Sequence, residues 1–375
     1  MAAEKMKQWT TRLDGIDKLE MQEVDVPSPG EGEVLVKMHA VSLNYRDKEV
    51  CSGDYNHGSS VHSVQHLVPC SDMCGTVVES KSTLLSEGVR VASIFLQTHL
   101  RGPVKEDDLA SGLGLPLPGV LAEYRVFPAV SLVRVPEYLS DEEASCLPIA
   151  GVTSWTSLNW MRPVGRHVGT DEEVASKFVL LQGTGGVAVA GLQVAHAAGY
   201  KTVMTSSSDE KLSRAREELK ADHVVNYKTC WEWQEPVMEA TGGRGVDIIF
   251  ETGGARTLRK SFGCVSFGGI INCIGYLSGK SDLDAGDGDG DGDGDKTPRL
   301  HRLNVNVLAL RRNVTLRGIL NGGKDRFEEM LEFYREKQIR PVVSNVFAFE
   351  EAKEAMAYLA DGKHFGKVVI RVGSN

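Results

Sequence analysis

At 375 residues the chain exceeds what one hydrophobic core usually serves, so two domains are expected. Its 41% hydrophobic and 25% charged residues suit a soluble globular protein, and a net charge of −9 argues against nucleic acid or an anionic membrane surface as partner. No apolar run is long enough to span a bilayer, the first residues lack a signal-like core, and Val372-Gly373-Ser374-Asn375 is no recognised address. Seven cysteines without framework spacing point to a reducing compartment, so a cytoplasmic protein is expected.

In chain order, Lys18–Val26 reads as a strand stopped by Pro27-Ser28-Pro29-Gly30, and Glu33–Val41 alternates in apolar character. Thr76–Glu79 and Arg90–Phe95 are further short strands, and Gln97–Pro118, with its Gly, Pro and Asp107-Asp108, reads as a surface loop. Ala122–Pro136 returns to strands, and Ser140–Cys146 starts a helix with Glu142 and Glu143 in its first turn. From Ala150 the rhythm becomes strand and helix in alternation. Strands are expected at Phe178–Leu181, Thr202–Thr205, His223–Asn226, Val246–Phe250, Ile270–Ile274 and Val314–Arg317, apolar enough for a parallel sheet covered on both faces.

Ser207-x-x-Glu210 reads as a capping box before Lys211–Leu219, and Thr229-x-x-Glu232 as another before a helix that Pro236 shortens or kinks. Gly165–Ser176 is a charged excursion. The alternating Gly-Asp run 286–295 is low-complexity and reads as a mobile insertion; its aspartates do not make a calcium loop, because the twelfth position from Asp287 is Pro298 and not glutamate. The tail is helix, strand, helix, strand: Asp325–Lys337, Val342–Phe347, Phe349–Leu359 and Lys367–Val372.

The most informative stretch is Phe178–Ala188. An apolar strand leads through Gln182-Gly183-Thr184-Gly185-Gly186 into a helix that places Val187, Gly191, Val194 and Ala198 on one face. Glycines at 183 and 185 let the backbone turn and approach a pyrophosphate, and the helix start offers unpaired N–H groups to its charge. Strand, turn and helix in this order make a dinucleotide site, with Ala188 at the sixth motif position, a better reading than an ordinary tight turn.

Those residues, with Ser206-Ser207-Ser208-Asp209-Glu210-Lys211-Leu212, Ala221–Tyr227, Thr241–Asp247 and His364-Phe365-Gly366-Lys367, resemble the medium-chain dehydrogenase/reductase superfamily over nearly the whole chain. The chain is most similar to the zinc-free, quinone-oxidoreductase-like branch, often labelled zinc-type alcohol dehydrogenase-like. The resemblance implies an α/β protein: a GroES-like β-rich catalytic domain at 1–149, completed by 320–375, and a Rossmann doubly wound parallel sheet at 150–319. It also implies a homodimer formed by the edge of that sheet, with Ile270–Ile274 and Val314–Arg317 contributing.

Zinc alcohol dehydrogenases of this superfamily hold their metal with Cys, His and Cys. Here Asn44 and Ser71 stand at the first two positions, and the third falls near Ala150; none is a good zinc ligand. The four-cysteine structural lobe is missing too. His62, His66, Cys70 and Cys74 recur every four residues, but Pro69 argues against one helix through them. No zinc is expected.

The resemblance and the strand ends together set the cofactor expectation. After the second Rossmann strand come Ser206 and Ser207 instead of an acid, then Lys211, with Tyr227 after the third strand. Hydroxyls and a lysine suit a 2′-phosphate, so NADPH is favoured over NADH, against the counterweight of Asp209 and Glu210. Gly183, Thr184, Gly185, Gly186 and Val187 would hold the phosphates. Thr252, Gly253, Ile274, Gly275, Tyr276 and Leu277 follow the fourth and fifth strands and would border ribose and nicotinamide. Thr153 resembles a family position near the nicotinamide, and Asn321 and His364–Lys367 would close the cleft.

For chemistry, the expected hydrogen-bond donors to a small-molecule acceptor are Asn44 and Tyr45, with Asp47 and Tyr276 secondary. Quinone reductases often carry a tyrosine where this chain has Glu49. The expected activity is reduction of a quinone, enone or enoyl group. The alternatives are a zinc-free dehydrogenase of secondary alcohols and a non-catalytic NADPH-binding sensor or structural protein.

Overall fold

The computed structural model describes residues 4–55, 66–170, 172–279 and 303–373. The Gly-Asp run 286–295 and His62 lie outside them. In chain order the elements are β1 (Lys5–Thr10), β2 (Glu20–Asp25), β3 (Glu33–Leu43), α1 (Tyr45–Cys51), β4 (Asp72–Ser80), β5 (Arg90–Ser93), β6 (Tyr124–Pro128) and β7 (Leu132–Arg134). Then come α2 (Asp141–Ser145), α3 (Val152–Asn159), β8 (Phe178–Gln182), α4 (Gly186–Ala198), β9 (Lys201–Ser206), α5 (Asp209–Glu217), β10 (His223–Asn226) and α6 (Gln234–Ala240). The remainder is β11 (Val246–Glu251), α7 (Leu258–Cys264), β12 (Val265–Cys273), α8 (Val305–Arg312), β13 (Thr315–Gly318), α9 (Lys324–Lys337), β14 (Val343–Ala348), α10 (Ala352–Ala360) and β15 (Lys367–Arg371).

The second half forms a six-stranded parallel sheet in the order β10-β9-β8-β11-β12-β13, the doubly wound arrangement in which strand order reverses beside β8. All six expected strands are in it. Every residue of β8 is buried, because helices cover both faces and leave no room for a polar side. Val179, Leu180 and Leu181 are fully enclosed, each contributing roughly 1.5–3 kcal/mol of burial. Gly191 of α4 sits where a Cβ would lie 2.6 Å from Phe250 and 2.7 Å from Leu181, so helix and sheet pack closer than any side chain permits. A left-handed Gly199 (φ 92°) ends that helix.

In the first half, β14-β15-β3-β4-β5-β7 form a second sheet, with β6 also paired to β3. The C-terminal β15 runs antiparallel to β3, Val368 opposite Leu43, so the tail returns to the N-terminal half. That pairing brings Lys367 beside Asn44.

Several local expectations need correction. The first expected strand starts only at Glu20, after a short 3-10 turn at Ile16–Lys18. The segment 97–118 is a surface loop only in part: residues 101–107 are exposed, whereas Gln97, His99, Asp108 and Leu113 are buried. It satisfies its polar groups internally, Asp108 accepting from Thr98 Oγ1 at 2.7 Å and from the Lys105 N–H at 2.8 Å. Ser208, not Ser207, caps α5 by accepting from the Lys211 N–H. Thr229 does not cap α6, which starts at Gln234 with Trp233 at its N-cap; Thr229 Oγ1 donates instead to the Asn226 carbonyl. Ile270–Ile274 is not an edge, since β12 is hydrogen-bonded on both sides; among the described residues β13 ends the sheet.

Candidate active site

The turn after β8 is built from backbone. Gly183 takes φ +80°, which glycine adopts without strain, and its N–H donates to the Thr205 carbonyl at 2.9 Å. A Cβ on Gly183 would meet nothing within 4 Å, and on Gly185 only His364 Nε2 at 3.9 Å. Space therefore stands open over both glycines at the start of α4. Gly186 is the opposite case, since its Cβ would fall 2.5 Å from Lys367 Cδ. The tail closes on this turn: the Gly366 N–H donates to the Thr184 carbonyl at 3.0 Å, and Gly185 bridges Gly366. Ser154 Oγ donates to the Val187 carbonyl at 2.8 Å, fixing the first turn of α4 against α3.

His364 stands among cations. Burial, Lys211 and Lys367 push its imidazole down to about 4, and its Nδ1 finds no partner among the described residues. Lys211 Nζ donates to the Gly362 carbonyl at 2.7 Å. Asp209 Oδ1 accepts from Asn226 Nδ2 at 2.8 Å. Ser206 is buried and its carbonyl accepts the Tyr227 N–H, so both expected adenosine-side residues lie at the carboxyl ends of β9 and β10.

At the end of β11 the structure places a residue the sequence reading passed over. Glu251 is 1% exposed, and its carboxylate accepts from the Gly253 and Gly254 N–H groups at 3.0 Å, from Gln182 Nε2 at 2.8 Å, and from Thr257 and Ser261. Gln182 Oε1 in turn accepts the Thr252 N–H. The Leu277 N–H then donates to the Thr252 carbonyl, and the Ile274 and Gly275 N–H groups to the Glu251 carbonyl. The loops after the fourth and fifth strands are thus locked to each other and to β8. The visible signal was an acid ending an apolar strand.

Across the cleft, α1 presents the expected donors. Asn44 precedes it, and its Oδ1 accepts from Lys367 Nζ at 2.6 Å; the same ammonium donates to the Leu43 carbonyl at 2.7 Å and lies 3.8 Å from Asp72. Because an ammonium only donates, this contact identifies Oδ1 of the amide. Nδ2 has no partner at hydrogen-bonding geometry, although Asp72 lies near enough to be eased by it. Burial raises Asp72, opposed by Lys367, Asn44, the Ile149 N–H and Ser71. Asp47 does not project as a donor. It is fully buried, accepting the Asn44 N–H at 2.8 Å and Arg46 Nη1 at 3.3 Å, and burial pushes it up to about 6 against Arg46. Arg46 lies between the Tyr55 and Phe95 rings. Tyr45 is 41% exposed at the helix start.

Thr153 is buried in α3, its Oγ1 donating to Asn321 Oδ1 at 3.4 Å, while Asn321 Nδ2 donates to the Pro148 carbonyl. Pro148 belongs to a π-helical turn, Leu147–Gly151, between α2 and α3. Tyr276, after β12, reaches across the cleft: its hydroxyl donates to Glu49 Oε2 of α1 at 2.8 Å.

These two halves define a nicotinamide-dependent oxidoreductase of the alcohol dehydrogenase-like kind. Residues 30–137 match the alcohol dehydrogenase GroES-like domain, and residues 186–336 the zinc-binding dehydrogenase family. A zinc-type alcohol dehydrogenase-like protein of Schizosaccharomyces pombe is 35% identical over 363 residues, covering 96% of this chain and 97% of that one. A crystal structure from Sinorhizobium meliloti, described as an alcohol dehydrogenase, is 36% identical with a TM-score of 0.80, covering 99% of this chain and all of that one. The quinone oxidoreductase of Coxiella burnetii, 21% identical over 99% of this chain and all of its own, shares the fold at a TM-score of 0.71. The chain belongs to the medium-chain dehydrogenase/reductase superfamily.

The family's zinc does not fit the donor set. Asn44 Oδ1 is held by an ammonium, Ser71 Oγ donates to Asp72 Oδ1 at 2.9 Å, and Ala150 has no donor atom. Among the described residues no three His, Cys, Asp or Glu side chains converge to hold a metal ion. The four-residue pattern fails as well: His66 has φ +60° and bonds Gln22, while Cys74 lies in β4. No helix of the described residues is long and apolar enough to cross a membrane.

Proposed function

We propose that the chain is an NADPH-dependent, zinc-independent reductase of activated carbonyl or conjugated double bonds, with a quinone, enone or enoyl group as acceptor. The observation that carries this reading is Lys367 Nζ on Asn44 Oδ1 beside Asp72, a buried internal cation where the metal donors of zinc-dependent relatives would converge. A second cation brought to that amide would be repelled. Bound coenzyme supplies the hydride; the chain orients the acceptor and holds the charge that develops. Without a Lewis acid, a delocalised enolate or quinolate is the product anion that hydrogen bonds alone suffice to stabilise.

Preference for NADPH is supported by Ser206 and Ser207 at the end of β9, by Lys211 in the first turn of α5, and by Tyr227 after β10. The phosphates would lie over Gly183–Val187, and Thr153, Thr252, Gly253 and Ile274–Leu277 would border the nicotinamide riboside. β13, with its outer edge unpaired among the described residues, is the surface through which a homodimer would form. The test is oxidation of NADPH and NADH with a quinone, an enone and a simple ketone, together with metal analysis. NADPH-linked reduction of the conjugated acceptors by metal-free protein is expected. One tightly held zinc per chain, or turnover confined to simple ketones and alcohols, overturns the reading.

A further inference from the structure

The backbone between α10 and β15 is a strap tied down at three points. At its start, Lys211 Nζ of α5 donates to the Gly362 carbonyl. Near its middle, Phe365 is 1% exposed and packs under the Arg214 guanidinium, 4.5 Å from the ring centre. At its end, Gly366 takes φ +87° and its N–H donates to the Thr184 carbonyl of the glycine turn. The strap thus runs from the adenosine corner to the turn after β8, and His364 is carried between the two. A Cβ on Gly185 would stand 3.9 Å from its Nε2. Its Nδ1 is buried and has no partner among the described residues. An imidazole held over the start of α4 faces the place where the diphosphate of a dinucleotide lies in doubly wound folds.

Resting on the reading that a nicotinamide coenzyme lies over Gly183–Val187, we propose that His364 binds its diphosphate, and that binding draws a proton from solution onto this imidazole. The proton leaves the buffer, one N–H bond forms on the ring, and no bond of the coenzyme breaks. The site is therefore sensitive to pH in a way that the main-chain turn by itself is not.

The physical cause is charge. In the empty protein, burial first, then Lys211 and Lys367, push the imidazole down to about 4, so it is neutral near pH 7. The other charges nearby are engaged with one another. On the strap, Lys363 pairs with Asp361 at 2.8 Å. On α5, Arg214 pairs with Glu218, Asp209 accepts from Asn226, and Glu210 favours the charge on Lys211. On β15, Lys367 donates to Asn44 beside Asp72. The turn 182–188 has no ionisable side chain. Two ammonium groups thus press on a neutral ring, and an anion at the turn reverses the sign of that field. Both nitrogens of the charged ring then donate. A lysine or arginine at 364 would repel Lys211 and Lys367 in the empty protein. A group that charges only when the anion arrives avoids that cost.

The experiment is calorimetric titration of the full chain with NAD⁺ and NADP⁺ in two buffers of unlike ionisation enthalpy, for wild type, H364Q and H364N. If the phosphates return the imidazole to its ordinary 6.5, wild-type affinity for NAD⁺ should rise about tenfold between pH ~7.5 and ~5.5, with ~0.7 proton taken up near pH ~6. Both variants should lose the uptake and bind NAD⁺ with a flat pH profile. The 2′-phosphate of NADP⁺ titrates in the same range, so with that coenzyme the difference between wild type and variant is read. His364 is half-buried, so neither variant empties the core, and circular dichroism checks the fold. Imidazole nitrogen resonances of the wild type should show one histidine pass from neutral to cationic on saturation. Uptake that is equal in wild type and variants, or a wild type that binds coenzyme without it, overturns the assignment of His364. Failure of the wild type to bind either coenzyme overturns the coenzyme reading itself.

Discussion

On the Rossmann side of the cleft, the nucleotide turn is made of main chain: Gly183 at positive φ, and open space over Gly183 and Gly185 where α4 begins. On the opposite side, the buried Asp47, Asp72 and Lys367 and the half-buried Asn44 are linked to one another where α1, β4 and β15 meet. The first surface takes its shape from consecutive residues, Gln182 to Val187, which Thr205 and Gly366 then brace. The second comes together only when residue 367 returns to residue 44. A local device tolerates change around it, whereas a network of buried charges fails when one member is removed.

The largest effect expected from that contrast is at Lys367. Replacing it with methionine leaves Asp72 buried without its cation, and the loss of one partner of a buried pair costs ~3–5 kcal/mol. Urea unfolding of Lys367→Met monitored by circular dichroism would report it. A loss below ~1 kcal/mol would mean that the network is no more demanding than the glycine turn.

Glu251 sharpens the same contrast from the Rossmann side, where a single buried carboxylate supports an otherwise main-chain surface. Glu251→Ala strips the acceptor from Gly253, Gly254, Thr257, Gln182 and Ser261. It should cost ~2–3 kcal/mol of stability and weaken coenzyme binding about tenfold, the range for hydrogen bonds to a charged group. Calorimetric titration with NADPH separates the two effects. Unchanged affinity in a destabilised protein would place the Thr252–Gly254 loop away from the coenzyme.

What was legible in the sequence follows this division. All six parallel strands and the Gly183–Gly186 turn could be read from runs, spacing and residue type. The burial of Gln97, His99, Asp108 and Leu113 could not, because glycines, prolines and acids look alike whether a loop is solvated or satisfies itself internally. Nor could Glu49 meeting Tyr276, a contact 227 residues apart in the chain. Ser208 replaced Ser207 as cap because the strand before it runs one residue further than its apolar run suggests.

Titration distinguishes the two sides in sign. Asp47, raised from 3.8 to about 6, holds a proton in the folded state that the unfolded chain has released, so its contribution falls as pH rises toward 6. Asp72 is raised too and acts the same way. His364, lowered from 6.5 to about 4, refuses a proton that the unfolded chain accepts, so its contribution is lost as pH falls through that window. The two slopes oppose each other. His364→Gln removes the second, and between neutral pH and the acid end of the window the variant should gain roughly 2 kcal/mol relative to wild type. Paired denaturation curves at the two ends of the window measure it; a constant difference would show that His364 titrates normally.

The smallest effect belongs to Lys211, and it bears most directly on coenzyme choice. Its ammonium now donates to the Gly362 carbonyl, and burial lowers its proton affinity against the pull of Glu210. A 2′-phosphate arriving beside Ser206 and Ser207 would compete with that carbonyl for the same donor. Its gain is the difference between a charged acceptor and a neutral one at a partly solvated site, ~0.5–1 kcal/mol. Lys211→Ala should therefore lower NADPH affinity roughly two- to fivefold and leave NADH within about twofold. Because both coenzymes share the glycine turn, the ratio of their dissociation constants isolates the adenosine corner from every other change. An unchanged ratio would assign Lys211 to the Gly362 contact alone and overturn the NADPH assignment.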